Sequence, residues 1–212
     1  MADNFIISIG RKIGAGGLET AGKLAEEFGI RMFDKNLLVE VAKESGLNPE
    51  IFKSKDESAS RGRLGALSSF RQFVGLGSQH STSNNTIMSE ESLFKVQSDV
   101  MRKIAGEQSC VIVGRCSDYI LRDHPRLLTV FITAPIEWRI PRIMASEGLS
   151  ESEAKHFIEQ KEQKRAAYYN YYTFKRWGDS SGYDLCVDSA KLGGTDAVVE
   201  LIKFTMKQRN LI

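Results

Sequence analysis

Five short apolar runs punctuate the chain, at residues 5–9, 31–33, 110–113, 127–132 and 185–187. The first, Phe5-Ile6-Ile7-Ser8-Ile9, is closed by Gly10 and is apolar on both faces, the pattern of a strand buried inside a parallel sheet. Between the runs the spacing changes to the helical period. Leu18, Ala21, Leu24, Ala25 and Phe28 share one helical face, and Gly29 ends that helix. Leu37, Leu38, Val41 and Ala42 mark a second helix ending near Gly46, and Leu93, Val96, Val100 and Ile104 a third. A long charged helical stretch covers 136–172, broken near Gly148 and restarted at Ser150, with Glu153 three residues on as a capping box. A last helix runs over 195–206. Strands alternating with helices predict an α/β fold of three layers, a parallel five-stranded sheet with helices on both faces. Such sheets bind ligands at the carboxyl ends of their strands.

Residues 53–90 break this rhythm. Ser, Gly, Asn and basic residues dominate there, and 78–86 is nearly all polar, so a mobile, partly helical excursion from the core is expected. At 212 residues the remainder suits a single domain spanning 1–212. Charge adds little globally: 29 basic against 27 acidic residues leave a formal +2, which gives no bias toward nucleic acid. Locally, basic residues gather over 155–176, where a small anion suits them better than a duplex. The three cysteines, Cys110, Cys116 and Cys186, have neither CxxC nor metal-ligand spacing, and their odd number argues against a disulfide framework. His80, His124 and His156 are scattered, so neither a metal centre nor a catalytic triad is supported. The N-terminal apolar run is too short for a signal peptide, and no run reaches the roughly 18 apolar residues of a membrane helix. A cytoplasmic protein is expected.

The candidate chemistry starts at Gly14-Ala15-Gly16-Gly17, which follows the first strand and opens a helix. Backbone N–H groups and the helix dipole at such a turn cradle phosphate, and glycine allows both the turn and the close approach. The bland reading is a tight turn that binds nothing. A Walker A loop would end in Gly-Lys-Ser/Thr, its lysine on the transferred phosphate and its hydroxyl on magnesium. Here Gly17 stands in the lysine place, followed by Leu18 and Glu19. Arg11 and Lys12 precede the turn and are the cations available to fold back onto a phosphate. Thr20 offers a hydroxyl, though a helix-facing structural role suits it better.

The run from Ile7 to Glu19 (Ile-Ser-Ile-Gly-Arg-Lys-Ile-Gly-Ala-Gly-Gly-Leu-Glu) resembles the opening of the cytidylate kinase-like family. In that family a Gly-Arg-Glu-Tyr-Gly-Ser-Gly-Gly-Arg-Glu pattern stands where ordinary cytidylate kinases carry the P-loop lysine. This chain departs from it with Lys12 for the acidic residue, Ile13 for the aromatic and Leu18 for the second arginine. The resemblance continues through Phe33-Asp34-Lys35, then Val111-Ile112-Val113-Gly114-Arg115-Cys116-Ser117-Asp118-Tyr119, then Arg165-Ala166-Ala167-Tyr168-Tyr169 and Trp177-Gly178-Asp179. It covers most of the chain outside 53–90. It implies the P-loop nucleoside monophosphate kinase type of fold, with 53–90 on the substrate side and a lid-like helical segment over about 139–180.

The resemblance also implies roles. Arg11, Gly14, Ala15, Gly16 and Gly17 correspond to the loop that holds the phosphates of ATP. Asp34 corresponds to the acidic residue that helps hold the nucleoside monophosphate, although its spacing equally suits a helix N-cap. Arg115 corresponds to the arginine that grips the monophosphate, and bidentate phosphate binding suits an arginine at a strand end. Arg139, Arg142, Lys161 and Arg165 are the lid candidates. Of these Arg142 and Arg165, with Lys12, are taken as the catalytic cations. Cys116 stands at an acidic position of the true kinases and reads as packing. The aromatic stripe of Tyr168, Tyr169, Tyr171, Tyr172 and Phe174 reads mostly as core. The implied activity is Mg2+-dependent phosphoryl transfer from ATP to a nucleoside monophosphate, with CMP or dCMP the expected acceptor and no nucleic-acid or membrane partner. The alternatives are a nucleotide- or phosphate-binding protein without kinase activity, and a kinase acting on another small acceptor.

Overall fold

The computed structural model describes residues 4–34 and 90–212. The helix expected over Leu37 to Ala42 and the excursion over 53–90 lie outside the described residues. The chain divides into two compact units, one of 1–35 with 98–212 and one of 36–97. Everything described below as sheet, loop and site belongs to the first.

In chain order the elements are β1 (Ile6–Arg11), α1 (Gly17–Phe28), β2 (Arg31–Phe33), α2 (Glu90–Glu107), β3 (Cys110–Val113), a short α3 (Ser117–Ile120), β4 (Leu127–Thr133), α4 (Ile136–Glu147), α5 (Glu151–Thr173), a 3-10 turn at Ser180–Gly182, β5 (Leu185–Asp188) and α6 (Thr195–Gln208). The strands form one sheet in the order β2-β3-β1-β4-β5, and every pairing is parallel. Ile6 to Ile9 pair with Cys110 to Val113 on one side, and Ile6 to Arg11 with Leu127 to Ile132 on the other. β1 is therefore central, and the glycine loop leaves from the middle of the sheet. All four residues of β3 are buried, as an apolar strand between two neighbours requires.

Strand alternation divides the core between the two faces. Ile7, Ile9, Val111, Val113, Leu128, Val130 and Ile132 turn toward α1 and α6, which contribute Ala21, Leu24, Val198, Ile202 and Met206. Ser8 faces the other way and shares a buried 2.7 Å hydrogen bond with the hydroxyl of Ser117 in α3. A separate cluster joins Ile13 of the glycine loop to Ile140 and Ile143 of α4 and Ala154 and Ile158 of α5. The loop is thereby keyed into the helical pair that follows β4. The helix restart is as the sequence predicts: Ser150 caps α5, its hydroxyl accepting from the Glu153 N–H while the Glu153 carboxylate accepts from the Ser150 N–H. The aromatic stripe on α5 is more divided than expected. Tyr169 is buried and Thr173 with it, whereas Tyr171 is half-exposed and Phe174 lies almost fully in solvent in the left-handed C-cap position.

Candidate functional site: a glycine loop between two arginine groups

The turn between β1 and α1 is held from three sides. The Lys12 N–H donates to the Ile132 carbonyl and the Lys12 carbonyl accepts from the Ala15 N–H. The buried hydroxyl of Ser189, just after β5, donates to the Ala15 carbonyl at 2.9 Å. Glu162 of α5 accepts from the Ile13 N–H at 3.2 Å. Gly14 and Gly16 both have positive φ, 76° and 81°. At each, a side chain would also strike a neighbour: the Arg139 backbone at Gly14, and Thr195 Cγ2, 2.5 Å from a Cβ, at Gly16. The amides of Gly16 and Gly17 thus open α1 with no side-chain cap, and the positive end of the helix is presented bare. Thr20 takes the structural role expected of it: fully buried, its hydroxyl donates to the Gly16 carbonyl at 3.0 Å.

On one flank the arginine is neutralised. Arg139 is buried, and its Nη1 donates to Glu162 Oε1 at 2.6 Å and to the Ile13 carbonyl at 3.1 Å. Arg139 and Arg142, a helical turn apart, do not share a task. Arg142 stacks over Trp138, 4.5 Å from the ring centre, and donates to Glu19 Oε2 at 2.7 Å near Gly16. Glu19 also accepts from Thr195 at 2.7 Å and pairs with Lys23. The Thr195 hydroxyl, followed by Arg142 and Lys23, holds the Glu19 carboxyl down to about 2. Lys161, the remaining lid candidate, is exposed beside Phe157.

On the other flank three half-buried arginines converge from three elements: Arg11 at the end of β1, Arg115 just beyond β3, and Arg165 on α5. Arg165 Nη1 donates to the Arg11 carbonyl at 3.1 Å. Burial first, then Arg165 and Arg115, push the Arg11 guanidinium down to about 9, with Asp34 opposing. Burial also pushes Arg165 down to about 10, with Glu162 raising and Arg115 lowering it. A guanidinium keeps its proton at neutral pH, so these shifts describe desolvated like charges drawn together, an environment that favours an anion. Arg115 is aimed by an unusual backbone: Gly114, Arg115 and Cys116 all have positive φ, 75°, 56° and 58°. Two consecutive non-glycine residues in that region carry strain of the sort concentrated at working sites. Arg115 lies 5.9 Å over the ring of Tyr168, and the neighbouring Tyr169 hydroxyl donates to Asp118 at 2.6 Å.

The residues singled out from the sequence therefore fall into place as follows. Arg11, Gly14, Ala15, Gly16, Gly17, Asp34, Arg115 and Arg165 lie around the loop and the adjacent ends of β1, β2 and β3. Arg142 stands on the opposite side, beside Gly16. Lys12 contributes its backbone to the turn. Sequence reasoning missed Ser189, Thr195 and the Arg139–Glu162 pair as supports of the loop. Arg139 was expected in the lid and not as a support, and the place of Glu162, three residues before Arg165, was the signal available for its carboxylate.

The donor set for magnesium is thin. Leu18 stands where the loop hydroxyl would be, the Thr20 hydroxyl is spent on Gly16, and among the described residues no three His, Cys, Asp or Glu gather as a metal site. A magnesium ion here would be carried chiefly by nucleotide phosphates, with Asp34 and Glu19 as carboxylates on either side of the loop, Glu19 already engaged by Thr195, Arg142 and Lys23.

A model of the cytidylate kinase-like family matches residues 6–191, and the chain belongs to that family. A cytidylate kinase of Pyrococcus horikoshii is 25% identical over 191 residues, 89% of this chain and 82% of its own. One of Thermococcus sibiricus is 34% identical over 105 residues, a match spanning 48% of this chain and about half, 52%, of that relative. A solved structure of an uncharacterized Eubacterium ventriosum protein superposes with a TM-score of 0.70 at 28% identity, covering 96% of this chain and 99% of the other. Shikimate kinase from Bacteroides thetaiotaomicron gives 0.52 at 14% identity over 96% and 98%, a likeness of fold alone. The fold is that of the P-loop kinases.

Proposed function

We propose that the protein transfers the γ-phosphoryl group of ATP to a nucleoside monophosphate, with CMP or dCMP the preferred acceptor. The observation that carries this reading is the convergence of Arg11, Arg115 and Arg165 beside a glycine loop with a bare helix N-terminus, in a member of the cytidylate kinase-like family. Phosphoryl transfer asks little covalent chemistry of a protein. It asks for positioning and for positive charge around the transferring group. The amides of the loop hold the donor phosphates, Arg115 and Asp34 hold the acceptor, and Arg165 and Arg142 bring charge from the helices α4 and α5. These helices serve as the lid of a single catalytic domain, excluding water while the phosphoryl group moves.

The test is ADP release from Mg-ATP by the purified protein with CMP, dCMP, UMP and AMP each as acceptor, beside Arg115→Ala. Turnover with CMP or dCMP that the variant loses supports the reading. ATP binding without turnover on any acceptor rejects it in favour of a nucleotide-binding protein, the reading that the missing lysine at Gly17 favours. Turnover restricted to UMP or AMP rejects the acceptor assignment.

A further inference from the structure

The Walker A pattern G-x-x-x-x-G-K places a glycine six residues before its lysine. In this chain Gly16 matches the second glycine and Gly17 the lysine, and the first glycine position is Arg11. Cation and glycine have exchanged places. The structure shows that the exchange is also spatial. A Cβ on Gly17 would lie 2.5 Å from Arg11 Cβ and 2.7 Å from Cγ, so the stem of Arg11 runs directly over the spot from which a lysine at 17 would start. Its head continues to the end of β3, where Arg11 Nη1 occupies the space that a side chain on Gly114 would need. Gly17 does not have positive φ. Its backbone accepts any residue, and only the Arg11 stem keeps a side chain out.

We propose that Arg11 is the loop's phosphate-binding cation, reaching the terminal phosphates of ATP from β1 across Gly17 in place of the lysine that would otherwise come from the first turn of α1. Lys12 does not take this role. An arginine suits the reversed approach, since its longer, planar head spans two phosphate oxygens from a stem fixed against the helix. Glycine at 17 is then required by Arg11 itself, while at 114 the Arg11 head adds to a backbone of φ 75° that already calls for glycine, and positions 11 and 17 are coupled.

The proposal deepens the kinase reading and shares its donor site, but its test rests on ATP binding as well as turnover. ATP affinity, turnover with CMP and the thermal midpoint without nucleotide are measured for wild type, Arg11→Gly, Arg11→Gln, Lys12→Ala, Gly17→Lys and Arg11→Gly/Gly17→Lys. Arg11→Gly and Arg11→Gln should each weaken ATP binding about 100-fold, the upper end of what one hydrogen-bonding charged group contributes to binding. Arg11→Gln keeps the stem and decides the matter if the glycine variant does not fold. Gly17→Lys should lower the midpoint, because two side chains contend for one space. The double variant, an ordinary glycine–lysine loop, should recover ATP affinity to within about tenfold of wild type. ATP binding by folded Arg11→Gln equal to wild type overturns the proposal, as does a folded double variant no better than Arg11→Gly. Loss with Lys12→Ala in place of Arg11→Gln does the same. If no acceptor is phosphorylated yet these ATP affinities follow the predicted pattern, the kinase reading falls and the role of Arg11 stands. Wild type that does not bind ATP overturns both.

Discussion

The two arginine groups beside the glycine loop use one residue type to opposite ends. Arg139 is buried against a single carboxylate, Glu162, which also accepts from the loop amide of Ile13, so its charge is matched through Nη1 even though its buried Nε has no hydrogen-bond partner among the described residues. Arg11, Arg115 and Arg165 lie close enough to repel one another, with Asp34 opposing at Arg11 and Glu162 at Arg165. A buried matched pair is costly to break because removing one partner strands the other, whereas a desolvated group of like charges spends stability that a bound anion restores. The first flank should thus answer to tests of stability and the second to tests of binding.

The largest effect is expected on the matched flank. Glu162→Gln leaves the Arg139 guanidinium buried without its counter-charge and should cost about 3–5 kcal/mol, read as a lower urea midpoint with unchanged slope. Replacing both residues by apolar ones, Arg139→Met with Glu162→Leu, should cost markedly less, since no charge is stranded. A single substitution that leaves the midpoint unmoved would erase the contrast between the flanks. On the second flank Arg165→Ala should do the reverse. Relief of like-charge crowding keeps the midpoint at or above that of wild type, while turnover falls about 10²–10³-fold. Loss of folding in Arg165→Ala would show that this group, too, is structural.

Much of this architecture was legible in the chain. All five strands and the longer helices of the described residues begin and end within a few positions of where the apolar period and the caps put them, because each signal is local: β-branched runs, Gly29 at a C-cap, Ser150 with Glu153 at an N-cap. The short α3 and the 3-10 turn, too brief for a period, were not legible. Arg11, Arg115 and Arg165 were legible as candidates, but their meeting was not, since it depends on the parallel pairing of β1 with β3 and on α5 reaching the end of β1. The choice between Arg11 and Lys12 was illegible for a related reason. Neighbouring residues at a strand end point to opposite sides, and only the register of β1 decides which one lies over Gly17. Ser189 and Thr195 gave no sign at all, being a serine and a threonine whose partners are far away in sequence.

The loop's own geometry lies between the two flanks, and its effect should be intermediate. Gly16→Ala meets both a left-handed backbone and Thr195 Cγ2 at 2.5 Å, and should cost about 1–3 kcal/mol. Gly29→Ala has a similar φ of 62° but open space around it, and should cost only the backbone part, about 1–2 kcal/mol. Equal losses by the two variants would show that Thr195 yields freely and does not brace the loop.

The smallest effect tests whether Arg142 belongs with the arginine of the first flank or with those of the second. Its partner Glu19 is held down to about 2, first by the Thr195 hydroxyl and then by Arg142 and Lys23. A carboxyl whose folded pKa lies below its unfolded value of about 4.3 adds stability above that value, and the contribution is lost as pH falls toward about 2. Glu19→Gln should therefore flatten the stability profile between about pH 5 and pH 2 and leave the shape above pH 5 unchanged. Since Glu19 is 43% exposed, solvent screening limits the change to under about 1 kcal/mol. If Arg142 is committed to Glu19, Arg142→Ala removes part of the same acid-dependent slope and changes turnover little. If it swings to the transferring phosphoryl group as proposed, Arg142→Ala lowers kcat by at least tenfold, and Glu19→Gln, by freeing it, does not.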